Sequence, residues 1–168
     1  MNCLNLKQFV DQKTCLECKG CCRFKEEESM WRPNLTDSEC QKFLKEKNNQ
    51  SVVDGDQCVK SVFLDGQHIC SLLESKTGLC QVYQDRPFEC VLYPFVLVKK
   101  EKSIFVAAHL ACPFIQDKKE SDDFLKYCND LKSFFSKAEN KQDIEALAQT
   151  YSLESEELEN LFLIFETI

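Results

Sequence analysis

Four cysteines fall within eight residues in the run Cys15-Leu-Glu-Cys18-Lys-Gly-Cys21-Cys22. Two cysteines separated by two residues can bring both thiolates of a tight turn onto one metal, the spacing found in zinc and iron–sulfur sites. Gly20 lets the backbone turn sharply between the second and third thiols. The adjacency of Cys21 and Cys22 carries its own information. Neighbouring side chains usually leave the backbone on different sides, so either one is a spectator, or the pair serves two centres, or a larger cluster or bridged pair is held.

A second set lies further on, in Cys70, Cys80, Cys90 and Cys112, with Pro87, Pro94 and Pro113 among them. Proline fixes the backbone and removes an amide donor, which suits irregular loops folded around a site. Eight cysteines are therefore candidate metal ligands: Cys15, Cys18, Cys21, Cys22, Cys70, Cys80, Cys90 and Cys112. They could fill two four-coordinate sites, or one cluster with extra ligands. Arg86 reads either as a guanidinium that offsets thiolate charge or as a structural arginine. Cys3, Cys40, Cys58 and Cys128 sit in helix or strand patterns and read as small apolar fillers. His68 and His109 lie close to Cys70 and Cys112 in the chain; each could replace a cysteine, but both read better as structural histidines.

The chemistry depends on compartment. The stretch from Met1 to Lys13 has no basic start, no long apolar run and no small-residue cleavage site, so no signal peptide is expected there. The longest apolar runs, near Val91–Val98 and Leu161–Phe165, are too short to cross a membrane. A cytoplasmic, reducing setting is expected, in which clustered cysteines bind metal rather than pair as disulfides. The net charge of −7 lies beyond residue 116, where 13 acidic residues face 6 basic ones. Without a basic face, nucleic acid is not an expected partner.

The elements that must position these thiols follow. Residues 1–116 read as a cysteine-bearing domain, and residues 117–168 as an acidic helical segment packed on it. Thr36-Asp-Ser-Glu39 is a capping box that should open a helix to about Lys47, with Cys40, Phe43 and Leu44 on one face. Asn48–Gly55 is turn-rich. Cys58–Leu64, Gln67–Leu72, Val91–Lys99 and Ser103–Leu110 are β-prone, and Asp65-Gly66 marks a hairpin. One small antiparallel sheet would house all four. Phe124, Tyr127, Cys128, Leu131, Phe134 and Phe135 recur at helical spacing, as do Ile144, Leu147, Ala148 and Tyr151. A last helix over about 153–165 would place Leu158, Leu161, Phe162 and Phe165 on one stripe, offering a surface to a protein partner. The expected class is α+β, a small antiparallel sheet and loops around a cysteine-ligated metal centre, packed by helices.

Taken together, Cys15–Cys22, the later Cys80-x2-Tyr83-x2-Arg86-Pro87-x2-Cys90-x2-Tyr93-Pro94 and the closing Cys112-Pro113 resemble the CxxCxxCC cysteine-cluster family, across roughly residues 15–113. The resemblance implies a zinc- or iron-chelating domain, with iron–sulfur often favoured, and places Tyr83 and Arg86 beside the ligands. The family includes flagellin lysine N-methylases, so lysine modification is an implied alternative. The chain shows no glycine-rich loop for S-adenosylmethionine. It also lacks the C-x3-C-x2-C trio of radical enzymes, because Lys25 stands where the third cysteine would be. The Cys15–Cys21 spacing partially echoes ferredoxins and favours an iron–sulfur cluster, 4Fe–4S among the forms, over zinc. The expected function is metal binding for electron transfer, cluster handling or support of a modification reaction. Its alternatives are a lysine N-methylase-like enzyme and a zinc-folded interaction module.

Overall fold

The structure, a computed structural model, describes residues 6–45, 52–150 and 161–167. The fold is α+β, and the chain divides into two compact units. One is Asp11–Cys90; the other takes residues 6–10 together with everything described from Val91 onward.

In the first unit, helix α1 (Gln12–Cys18) begins where the Asp11 carboxylate accepts the Thr14 amide at 3.0 Å, and it buries no residue. Lys19 ends it in the left-handed region, φ 53°. One tight 3-10 turn (Gly20–Cys22) then feeds the short strand β1 (Arg23–Phe24). Helix α2 (Asp37–Lys45) opens on the reciprocal capping box read from the sequence. The Thr36 amide donates to Glu39 Oε2 at 2.9 Å, and the Glu39 amide donates to Thr36 Oγ1 at 3.3 Å. Phe43 is buried and Cys40 packs on the core, but Leu44 turns to solvent, which corrects the expected face.

Strands β2 (Ser61–Leu64) and β3 (Gln67–Cys70) form the expected hairpin. Asp65 and Gly66 both take positive φ, 49° and 84°, as a two-residue turn matched to strand twist requires. β1 pairs with the other edge of β3, giving the antiparallel order β1-β3-β2. Phe24, Leu35, Phe43, Val59, Ile69 and Leu72 lead the core of this unit. Its last pieces are a 3-10 turn (Tyr83–Asp85) and helix α3 (Phe88–Leu92), which runs into the second unit.

The second unit is built on β4 (Phe95–Lys100) and β5 (Ser103–His109), a hairpin closed by Glu101 at φ 56°. After a short α4 (Pro113–Gln116), helix α5 (Asp122–Phe135) buries Phe124, Tyr127, Cys128, Leu131, Phe134 and Phe135, the face that its periodicity predicts. The Phe95 and Phe124 rings stack at 5.7 Å, and Phe9 meets Phe95, Phe114, Phe124 and Tyr127. Tyr127 Oη also donates to the Lys7 carbonyl at 2.7 Å. A 3-10 turn (Ala138–Asn140) leads to α6 (Lys141–Leu147) and β6 (Gln149–Thr150); β7 (Leu161–Glu166) completes the sheet in the order β6-β4-β5-β7.

Several expectations are corrected. The four β-prone runs form parts of two sheets, one in each unit, because β3 takes β1 and β2 as partners while β4 and β5 pair with β6 and β7. β4 starts only at Phe95, since Phe88–Leu92 is helical and Pro94 has no amide to give a ladder. β2 starts at Ser61, with Cys58 and Val59 in isolated bridges to Asn34 and Val53. The last segment is no helix over Leu161–Glu166: Leu-Phe-Leu-Ile-Phe lies along β5 as an antiparallel strand, so no C-terminal helical stripe is offered there to a partner. Leu158 and Tyr151 lie outside the described residues, as do 46–51 at the expected end of α2. The chain passes from the first compact unit to the second between Cys90 and Val91. Among the described residues, no helix is long and apolar enough to cross a membrane.

Candidate metal centre

The first unit gathers its thiols from five short pieces of chain. α1 carries Cys15 and ends on Cys18, and the 3-10 turn carries Cys21 and Cys22. β3 ends on Cys70, Cys80 bridges to Leu73, and α3 carries Cys90. Backbone pairing does much of the gathering. β1 and β3 pair Arg23 with Ile69 and Phe24 with His68, so the same register continued by one residue brings Cys22 alongside Cys70. The turn closed by the Leu73 amide on the Cys70 carbonyl, and the bridge from Leu73 to Cys80, hold Cys80 beside the end of the same strand. Cys22 and Cys80 both pack against the core to which Cys70 belongs.

α3 is tied down by two carboxylates. The Asn34 amide donates to Glu89 Oε2 at 2.7 Å, and the Phe88 amide donates to Glu39 Oε1 at 2.6 Å. Burial pushes the Glu89 carboxyl up to about 8 against the pull of its Asn34 hydrogen bonds, with the Glu39 charge adding to the rise. Cys90 sits next to this anchor.

The electrostatics divide the thiols. Burial raises Cys15, Cys80 and Cys90, and it raises Cys70 to about 12, so without a metal these groups keep their protons at neutral pH. Cys21 is raised well above the thiol range chiefly because it donates its proton in a hydrogen bond to Cys22. Cys22 alone moves the other way. It is lowered first by that hydrogen bond and then, against burial, by Arg23, Arg86 and Lys19. Arg86 Nη1 stands 3.7 Å from Cys15 Sγ, and its guanidinium lies over the Tyr83 ring at 4.1 Å. Lys19 is oriented by the Thr77 carbonyl at 3.5 Å, and Arg23 by the Lys19 carbonyl at 2.9 Å.

Of the eight cysteines read from the sequence, Cys15, Cys21, Cys22, Cys70, Cys80 and Cys90 stand close enough for their charges to act on one another. Cys18 is exposed at the end of α1; a Cβ placed on Gly20 would lie 3.4 Å from its sulfur, so the glycine leaves that sulfur room. Cys112 is buried in the second unit as the residue before Pro113 at the start of α4. Among the described residues, no three His, Cys, Asp or Glu side chains stand close enough to clasp one ion as they are arranged here. The donor set nevertheless fits a metal in kind. Thiolates are the ligands of zinc and iron–sulfur centres, every described cysteine is a free thiol, and three cations attend the sulfur that ionises first.

The histidines behave as structural residues. His109 Nδ1 meets Tyr93 Oη at 3.2 Å, and the His68 ring meets the Phe63 ring edge-on at 5.0 Å. Cys128 is a buried filler on α5 as read from the sequence, and Cys40 packs on the core. Cys58 is a correction. Its thiol lies 2.9 Å from Asn34 Oδ1 and donates to it, and burial, with the Asp54 charge, raises it to about 11. It is a polar link in the loop that Arg32 and Asp54 pair to hold. Lys19 and Arg23 were not singled out in the sequence, although basic residues interleave the run Cys18-Lys-Gly-Cys21-Cys22-Arg23.

A family model described as "CxxCxxCC: putative zinc- or iron-chelating domain" matches residues 14–129 of the chain. No curated protein and no solved structure matches it.

Proposed function

The chain belongs to the CxxCxxCC family of cysteine-rich, metal-chelating domains, and from that premise we propose that its first unit holds an iron–sulfur cluster in the cytoplasm and serves electron transfer or cluster handling. What supports this reading, beside the family match, is that Cys15, Cys21, Cys22, Cys70, Cys80 and Cys90 come from five segments of one unit and lie within range of one another's charges, more sulfurs than one mononuclear site uses. When bound, such a cluster supplies reversible one-electron chemistry.

The chain's own residues do the rest. Cys22 offers a sulfur that is ionised before the others, and Arg86, Arg23 and Lys19 offset the negative charge that collects when further thiols lose their protons. Tyr83 fixes the Arg86 guanidinium from below, so the cation is held rather than merely near. Cys18 and Cys21 keep one side of the set at the surface of the unit, where an electron-transfer partner could approach. Zinc is the second reading. It is favoured by the packing of Cys22, Cys70 and Cys80 on the unit's own hydrophobic core, the place for an ion that holds a fold together.

The test is elemental analysis of protein purified without oxygen, together with its visible spectrum. Iron and acid-labile sulfide in similar amounts, with a brown thiolate-to-iron absorption, are expected. Colourless protein with stoichiometric zinc would replace the first reading with the second, and protein with neither metal would overturn both.

A further inference from the structure

The second unit has an aromatic pocket whose occupant comes from the far end of the chain. Phe95 on β4 packs on Phe124 and Tyr127 of α5, with ring centroids 5.7 and 5.1 Å apart. Phe114 of α4 stands beside them with the Lys118 ammonium 3.8 Å over its ring. Phe9 meets all four, at 4.9 Å from Tyr127, 5.6 Å from Phe95, 5.7 Å from Phe114 and 6.2 Å from Phe124. Tyr127 Oη donates to the Lys7 carbonyl, and Val10 is buried. A pocket that selects a side chain, beside a donor that takes a backbone carbonyl, is how a protein surface reads an extended peptide. We propose that residues 7–10 are a detachable ligand rather than a fixed part of the core. The second unit is a receptor for an extended Phe-Val segment, filled in cis by the chain's own and in trans by that of a second copy, each pocket then taking the partner's Phe9.

Both sides of the contact stand without it. Phe95 and Phe124, only 1% and 2% exposed, stack directly on each other as the pocket's floor, whereas Phe9 stays half-buried, a ring seated at the surface. Residues 6–10 form neither helix nor strand, so their release breaks no backbone ladder. Helix α1, which follows them, starts on its own cap: the Asp11 carboxylate accepts the Thr14 amide at 3.0 Å and the Thr14 hydroxyl at 2.7 Å. A second copy carries the ligand by necessity, and an exchange of segments remakes every contact of the closed form. Tethering favours the cis segment, and a rising chain concentration offsets that advantage. The proposal is independent of metal binding.

The test uses full-length chains and a dye-labelled peptide of residues 6–13, followed by fluorescence anisotropy, with sedimentation of the unlabelled chains. Phe9→Ala, which vacates the pocket, should bind the peptide saturably and about tenfold or more tightly than wild type, whose tethered segment competes. A peptide carrying the same substitution should not bind. Phe9→Leu, which keeps an apolar plug, should also bind the peptide more tightly than wild type, and it decides the matter if the alanine variant does not fold. Wild type should form dimers as its concentration rises, and Phe9→Ala should stay monomeric at the same concentrations. No saturable binding by either variant, equal binding of the two peptides, or equal binding by variant and wild type would make the segment a fixed core element and overturn the proposal. Peptide binding with wild type monomeric throughout, or dimers that Phe9→Ala retains, would overturn the second copy as occupant.

Discussion

Cys21 and Cys22 are neighbours in the chain and shift in opposite directions, the first holding its proton more tightly than an ordinary thiol and the second less tightly, because the first donates to the second beside three cations. Replacing Cys90 by serine should remove at least half of the bound metal, whereas Cys128→Ser should leave metal content unchanged; elemental analysis of the two variants makes the check. Arg86→Met should keep the fold and the stoichiometry but weaken metal binding about 10–100-fold, the usual cost of losing a residue that supports ligands, as read by competition with a chromophoric chelator. The spacing of Cys15, Cys18, Cys21 and Cys22 was legible because it is local. The part played by Cys58 was not, since its partner Asn34 lies 24 residues away and only folding brings them together.

At the scale of elements, local chemistry was again the readable part. The Thr36–Glu39 capping box and the Asp65-Gly66 turn each fix a backbone geometry within a few residues, and both stand where the sequence puts them. Leu161–Glu166 shows the opposite case. A short apolar run satisfies helical and strand periods alike, and pairing with β5 decides between them. α3 depends on the half-buried Glu89 at its first turn, and that dependence sets a pH response. Glu89 rises from 4.5 to about 8 in the fold, so the folded state holds a proton that the unfolded chain releases. Its contribution to stability is present below about 4.5, drains away as the pH climbs, and is gone above about 8. Glu89→Gln has no such loss. Its stability advantage over wild type, measured by urea unfolding, should therefore widen by a few kcal/mol up to pH 8 and stay constant above it.

For the whole molecule, the two units have separate cores and separate sheets. Removing metal with a strong chelator should accelerate hydrogen exchange at β3, around Ile69 and Cys70, and leave Val106 and Ala107 of β5 protected. Leu131→Ala, at a fully buried position of α5, should cost about 2–5 kcal/mol and lower the melting temperature of the second unit without altering metal content. The chain path adds a temporal consequence. Residues 6–10 belong with a unit whose sheet begins at Phe95, so the ribosome delivers every thiol of the candidate centre before it delivers the strands on which that opening segment depends. At about 5–20 residues per second, about 2–7 seconds separate the synthesis of Cys90 from that of Tyr127, the last of the rings that meet Phe9. During that interval a nascent polypeptide could already have captured its ion, with the aromatic pocket around Phe9 still waiting to be translated.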